Sequence, residues 1–375
     1  MSGVVVATLL ATAGCSDSGS TSTATPGSSS QGGGGQGGPG GGMGSVQTFT
    51  AVDLNTGGDS PGGANTAAVV TAAQAFLATL DDTLKAKINL AFTDNQSRQT
   101  WSNFPASTVA RKGVALKDLS EAQRAAALAM MKVALSPEGY QQVLNIQKAD
   151  DYLNSLGGDG ADGFGNLVDY YVAVYGTPSA TAPFMLQFGG HHLARNLTYN
   201  GTKVSETPQF VGSEPTSFTS GGQTVAPVKD ESTALFALFA SLSAGDKAAA
   251  KLSSGTYDDL MMGPAHDDGV FPASEGLTVT AAQKTLVLAA IKPYVDDLAD
   301  DAAAKLLAKY ESELGSTKIA WANNTGPEDE SSYLRIDGPS VWIEFINTRS
   351  RSTPNIHYHS VYRDKTNDYG STKPS

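Results

Sequence analysis

The chain predicts an α+β fold in which helices pack on an antiparallel sheet, organised as two diverged repeats about a pseudo-twofold axis. Three observations lead there. Apolar residues recur at helical spacing in the first half of the chain and again from Thr280 to Leu314. Four short Val-, Ile- and Tyr-bearing stretches, separated by Gly, Pro and Asn, close the sequence. Short landmarks also recur in the same order in both halves. Runs of helices followed by runs of short strands argue for segregated layers rather than an alternating parallel sheet.

The chain opens with an apolar run from Val4 to Ala13, too short to span a bilayer and placed like the core of a signal peptide. Thr12-Ala13-Gly14-Cys15 resembles a bacterial lipobox, whose cysteine is lipidated and becomes the mature N-terminus. Thr12 stands where Leu is usual, and no Lys or Arg precedes the run, so an ordinary cleaved signal is the alternative. Residues 16–45 are mostly Gly, Ser and Thr; with almost nothing to bury they read as a flexible tether. Residues 46–375 read as a single globular domain.

Within that body, Asn65 to Phe92 has helical periodicity, capped by Asn65 or Thr66. Leu119 to Val133 opens with Ser120-Glu121-Ala122-Gln123, a capping box, and Ser136-Pro137-Glu138 starts a helix toward Leu156. Gly158-Asp159-Gly160-Ala161-Asp162-Gly163 matches GxGxxG but follows a helix and precedes a strand, the reverse of a dinucleotide fold. It reads as a loop, or a weak calcium site. Val168 to Tyr175 and Phe184 to Tyr199 read as strands, with a hairpin turn at Asn200-Gly201. Lys229 to Ala244 and Thr280 to Leu314 are helical. Lys318 to Ala322, Tyr333 to Ile336, Val341 to Ile346 and Ile356 to Arg363 are strands.

The repeats rest on Phe104-Pro105-Ala106-Ser107 and Phe271-Pro272-Ala273-Ser274, each ahead of a helix carrying Gln123-Arg124 or Gln283-Lys284. Gly176, Pro178 and Ser179 then match Gly338, Pro339 and Ser340, and Arg195-Asn196 matches Arg363-Asp364 at the end of a histidine-bearing strand. The units span residues 100–200 and 270–365, and their pairing would bring the histidine strands together.

Those strands carry four of the five histidines, His191, His192, His357 and His359. Neutral imidazole is the commonest protein ligand for a transition metal. Alternation sets His357 and His359 on one face with Val361 and Arg363, about 7 Å apart along a strand, where they can converge on one ion. His191 and His192 are adjacent and point to opposite faces unless Gly189-Gly190 makes a bulge. Superposing Arg195 on Arg363 aligns His191 with His359 and favours His191, with His192 beside it. The expected ion is a divalent transition metal: zinc, copper or iron. Glu344, in an apolar strand, is either solvent-facing or a metal ligand, a ligand-orienting carboxylate or a general base. Arg363 either clamps an anionic small-molecule substrate or pairs with Asp364 or Asp368. His266 reads as an exposed loop residue, and Asp364 to Gly370 as a turn held by Asx-type bonds.

Ser136-Pro137-Glu138-Gly139-Tyr140, residues Phe188 to Leu197, Thr207-Pro208-Gln209-Phe210 and residues His357 to Asp364 resemble the hallmarks of the family catalogued as domain of unknown function 3500. The resemblance covers roughly residues 65 to 370. It implies an exported protein and a fold type, and it transfers no catalytic residues.

Other chemistries are excluded by composition. A net charge of −12 offers no basic stripe to nucleic acid. The only cysteine, Cys15, leaves neither a disulfide nor thiol catalysis, and membrane contact is expected only through its lipidation. There is no HExxH helix or Walker loop. Two functions remain: a metal-dependent hydrolase or oxidase of the cell envelope, or a non-catalytic ligand-binding lipoprotein with structural histidines.

Overall fold

The stretch expected as one helix from Asn65 to Phe92 is two, α1 (Thr66–Ala78) and α2 (Asp82–Ile88). Asp81 separates them: its carboxylate accepts the Leu84 N–H at 2.8 Å and restarts the helix as an N-cap. Asn65 occupies the first cap position without capping, because its amide donates to the carbonyl of Val133 at 2.6 Å. The computed structural model describes residues 60–157, 165, 167–253, 257–349 and 355–370. The expected leader with Cys15, the expected tether and the GxGxxG stretch at 158–163 lie outside the described residues.

After β1 (Asn89–Leu90), α3 (Asn95–Arg98) and β2 (Val114–Ala115), α4 (Glu121–Ala134) begins with the expected reciprocal capping box of Ser120 and Gln123. In α5 (Pro137–Ser155), Pro137 occupies the first turn and the Ser136 hydroxyl accepts the Gly139 N–H at 3.0 Å. β3 (Tyr171–Tyr175) follows. The next expected strand, Phe184 to Tyr199, folds back on itself as β4 (Phe184–Gly189) and β5 (Leu193–Asn200), with Gly190, His191 and His192 as the loop. A single strand of that length would run about 50 Å, well over twice the usual span. Gly189-Gly190 is therefore a turn signal and not a bulge.

Asn200-Gly201 turns the chain into β6 (Lys203–Ser205), ahead of β7 (Gln209–Ser213) and a small separate hairpin, β8 (Phe218–Ser220) and β9 (Gln223–Val225). Of the two later helical stretches, the first ends four residues early and is followed by a further helix, and the second divides. Ser243 caps α7 (Ala244–Ala250) and parts it from α6 (Lys229–Ala240). After β10 (Leu277–Thr278), α8 (Lys284–Val295) ends before Asp297, which turns inward to Arg195, and α9 (Asp300–Glu313) starts afresh. The chain finishes with β11 (Lys318–Asn323), β12 (Ser332–Asp337), β13 (Val341–Arg349) and β14 (Ile356–Asp364).

Among the described residues there are nine α-helices and one large sheet in the order β1-β3-β4-β5-β7-β14-β13-β12-β11-β10, with β2 and β6 beside it. Among the named strand pairs of the described residues only β1–β3 is parallel, so the fold is α+β with a mixed, largely antiparallel sheet. One face is sealed by helices: Phe188, Leu197, Val211, Ile343 and Tyr362 pack with Val143, Leu235, Ile291 and Leu306. The other face is covered by irregular segments, whose Trp101, Leu260, Met262 and Tyr369 pack on Met185, Phe210, Trp342 and Val361. No described helix is long and apolar enough to cross a membrane.

Candidate metal centre

The site lies where β5, β7 and β14 run side by side. His359 stands opposite Gly212 in the β14–β7 ladder, and the Gly212 N–H donates to the His192 carbonyl at 2.8 Å. His192, Gly212 and His359 thus form a row across three neighbouring chain segments. Gly212 lets the outer two share the space between them. A Cβ there would sit 2.8 Å from His192 Cδ2, 3.3 Å from His359 Cδ2 and 2.8 Å from the Tyr358 carbonyl oxygen. His357 joins on the same face by strand alternation.

The three rings are buried, with His192 at 0%, His357 at 8% and His359 at 6% exposure. Ring centroids lie 5.8 Å apart for His192–His359, 5.9 Å for His192–His357 and 4.6 Å for His357–His359. One ligand nitrogen from each lies within 4.8 Å of the others, and Nε2 of His357 is 3.1 Å from Nε2 of His359. Metal–nitrogen bonds near 2.05 Å in a tetrahedral site place ligand atoms about 3.3 Å apart. The His357–His359 pair already has that spacing, and His192, within 4.8 Å of both, would move inward to match it.

Carboxylates fix two of the rings from behind. His192 Nδ1 donates to Asp150 Oδ1 at 2.7 Å, and Asp150 Oδ2 accepts the Tyr170 hydroxyl at 2.7 Å. His359 Nδ1 donates to Asp259 Oδ1 at 2.9 Å. An ionised carboxylate has no proton to give, so each ring keeps its proton on Nδ1 and, when neutral, its lone pair on Nε2. His192 Nε2 is buried and has no hydrogen-bond partner among the described residues. Burial opposes charge on His192, yet Asp150, with Glu214 and Asp169, pushes its pKa above the ordinary value. Asp259 is also desolvated, but His359 and the N–H of Leu260 hold its carboxyl below the usual range. His191 packs on His192 with centroids 3.7 Å apart, and its Nδ1 is 4.0 Å from Asp150 Oδ1. Burial, reinforced by the neighbouring imidazoles and Arg111, drives its pKa well down and keeps it neutral.

The structure places His192, rather than His191, in the triad with His357 and His359; His191 instead groups with Asp150 and His192. The sequence superposition missed this by one residue, because Arg195 points to the helical face, toward Asp297 and Gln142. Arg363 points to the opposite face, toward Met262, Gly263 and Asp267. Glu344 is fully buried, not solvent-facing. It accepts four bonds, from the Met261 and Met262 N–H groups, the Tyr333 hydroxyl and Trp342 Nε1, at 2.6 to 2.8 Å. Those four donors commit its lone pairs to holding the 261–262 segment on the sheet.

Arg363 is likewise buried and pairs with Asp267 at 2.8 Å and Asp368 at 3.1 Å. Burial disfavours its charge, but the two carboxylates more than compensate and raise its pKa. His266 is exposed, outside the cluster. Asp364 Oδ1 accepts both the Thr366 N–H and hydroxyl, the expected Asx-type turn.

Asp150 and Asp259 escaped the sequence reading. Asp150 did leave a signal: it falls between Ile146 and Leu153 on the buried stripe of α5, where a carboxylate requires a partner. Asp259, in a loop beside Asp258, left none.

No curated protein and no solved structure matches the chain. The family described as protein of unknown function, DUF3500, matches residues 62–371, and the chain belongs to it.

Proposed function

We propose that the protein binds one divalent transition-metal ion through Nε2 of His192, His357 and His359, and that this centre is its functional site. One observation carries the reading: three buried imidazoles converge while carboxylates hold the outer nitrogens of two of them. Carboxylate–histidine pairs of this kind orient and strengthen metal ligands. Three imidazoles also leave an open coordination position for water or a small substrate. With zinc such a centre suits hydrolysis, and with copper or iron it suits oxidation. The small exposures of His357 and His359 favour small molecules as what reaches it. The apolar run before Cys15 and the Gly- and Ser-rich stretch after it support a cell-envelope location for this activity, with Cys15 as the lipid-bearing residue.

Metal analysis of the full chain, purified without chelator, tests the reading. The expected result is one zinc, copper or iron ion per chain, lost in the double variant His357→Ala, His359→Ala. Metal-free protein that takes up none of these ions would overturn it. That result would favour the second reading, a non-catalytic binding lipoprotein with structural histidines. The 3.1 Å contact between His357 Nε2 and His359 Nε2 supports it, since that contact is itself a satisfied hydrogen bond.

A further inference from the structure

Resting on the metal-binding reading above, we infer that Asp150 and Asp259 are positioning residues that also set the charge of the centre, making it selective for divalent over monovalent cations. Both attach to the outer nitrogen of a proposed ligand, so neither competes for the ion. Each has further donors that fix it. Asp150 accepts the Tyr170 hydroxyl, and Asp259 accepts the Leu260 N–H at 2.8 Å and the Asn103 amide at 3.3 Å. They reach the centre from opposite sides, Asp150 from α5 and Asp259 from the loop ahead of β10.

The wider surroundings have the same sign. Glu214 acts on His192, as does Asp169, although burial raises the Asp169 carboxyl to about 7 and leaves it only partly charged; the Arg111 guanidinium acts on His191. Arg111 donates to the carbonyls of Ser102 at 2.8 Å and Gly190 at 3.1 Å, so it braces the covering loop rather than the histidines. Asp150 and Asp259, each bonded to an outer ring nitrogen, therefore put negative charge on two sides of the imidazoles. Coulomb attraction scales with the charge on the bound ion, so a divalent ion gains twice what a monovalent one gains from each carboxylate. Neutral imidazoles attract through their dipoles and add no net charge, so the carboxylates widen the gap between a divalent and a monovalent ion. The two aspartates supply that added discrimination.

The experiment measures Zn²⁺ and Ag⁺ affinity, by competition with a chromogenic chelator, for the full chain and its Asp150→Asn and Asp259→Asn variants. Asparagine keeps the shape of each carboxyl and removes its charge. Loss of an outer partner of this kind costs about 10- to 100-fold in metal affinity. The expected result is a Zn²⁺ affinity lowered by about that factor, and an Ag⁺ affinity lowered by about its square root, 3- to 10-fold. Zn²⁺ affinity should recover in Asp259→Glu.

Equal losses for both ions would overturn the inference, because misplacement of the imidazoles alone has that effect. Unchanged Zn²⁺ affinity would overturn it as well. A wild-type chain that binds neither ion would overturn this inference together with the metal-binding reading. Should Asp150→Asn fail to fold, Asp259→Asn decides the matter, since its side chain is one-third exposed at the edge of the site.

Discussion

An alanine at position 212 would press its methyl group 2.8 Å from His192 Cδ2 and from the Tyr358 carbonyl, closer than carbon atoms approach without displacement. Overpacking of this kind costs about 1–3 kcal/mol. Gly212→Ala should therefore lower the melting temperature and also weaken metal binding, because the displaced atoms belong to the row that carries two of the three imidazoles. A stability loss with metal affinity intact would show that the row is not what brings His192 and His359 together. At this scale strand alternation was enough to put His357 and His359 on a common face. It was not enough for His191 and His192, because the loop between β4 and β5 has no alternation to read. The sequence reading also paired Arg195 with Arg363, although the two serve opposite faces of the sheet.

Elements differ in how far local chemistry decides them. The capping box at Ser120 and the Ser136-Pro137 start were visible because each is complete within four residues, whereas the breaks at Asp81 and Asp297 depend on partners or caps inside an unbroken periodic pattern. Asp297 belongs to a polar cluster between the sheet and α5, α6 and α8 that no local pattern announced. Arg195 pairs there with Asp297 at 2.5 Å, Gln209 donates to the same carboxylate at 2.7 Å, and Gln142 joins Arg195 to Glu231. Glu206 is buried beside them, and neither of its oxygens has a hydrogen-bond partner among the described residues.

Desolvation raises Glu206 well above the usual carboxylate value and, with Asp297 nearby, moves Glu231 from 4.5 to about 7. A pKa raised by folding means that the native state holds the proton more tightly than the unfolded chain. The stability linked to that proton is complete below about pH 4.5 and is lost as pH rises through about 7. For Glu231 the loss is on the order of 3 kcal/mol. Glu231→Gln, which stays neutral and can keep the bond from Gln142 by rotating its amide, should flatten the decline in stability between pH 5 and pH 8. Chemical denaturation of both proteins across that range measures it. Parallel curves would mean that Glu231 is ionised in the native state without cost.

At the scale of the whole molecule, composition and periodicity were sufficient for the class of fold, since helices and strands segregate along the chain. The order of the sheet was not readable, because β7 enters between β5 and β14 from a five-residue stretch whose neighbours are set by long-range contacts. That insertion joins the strands of residues 100–200 to those of 270–365 and carries Gly212 to the place where the histidines meet. The lipid attachment proposed at Cys15 is tested at this scale too. Cys15→Ser should move the protein from the membrane fraction to the soluble one, and unchanged fractionation with no lipid on the mature N-terminus would remove that proposal.

The proposed centre also spans the molecule. Its ligands come from the β4–β5 loop and β14, and their partners from α5 and the 257–262 segment. A ligand that binds only the folded chain stabilises it by RT ln(1 + [L]/Kd), about 2.7 kcal/mol at a hundred times Kd. The ligand nitrogens are far apart in an unfolded chain, so the unfolded state should bind weakly. Adding Zn²⁺ to chelator-treated protein at pH 7.5 should therefore raise the melting temperature by several degrees, in step with concentration. The rise should shrink as pH falls, and the decline should begin above the ordinary imidazole value, because, against burial, Asp150 makes His192 hold its proton more tightly. The His357→Ala, His359→Ala variant should show no rise at any pH. An equal rise in that variant would place the zinc elsewhere, on the acidic surface, and would separate the stability of the fold from the histidine cluster.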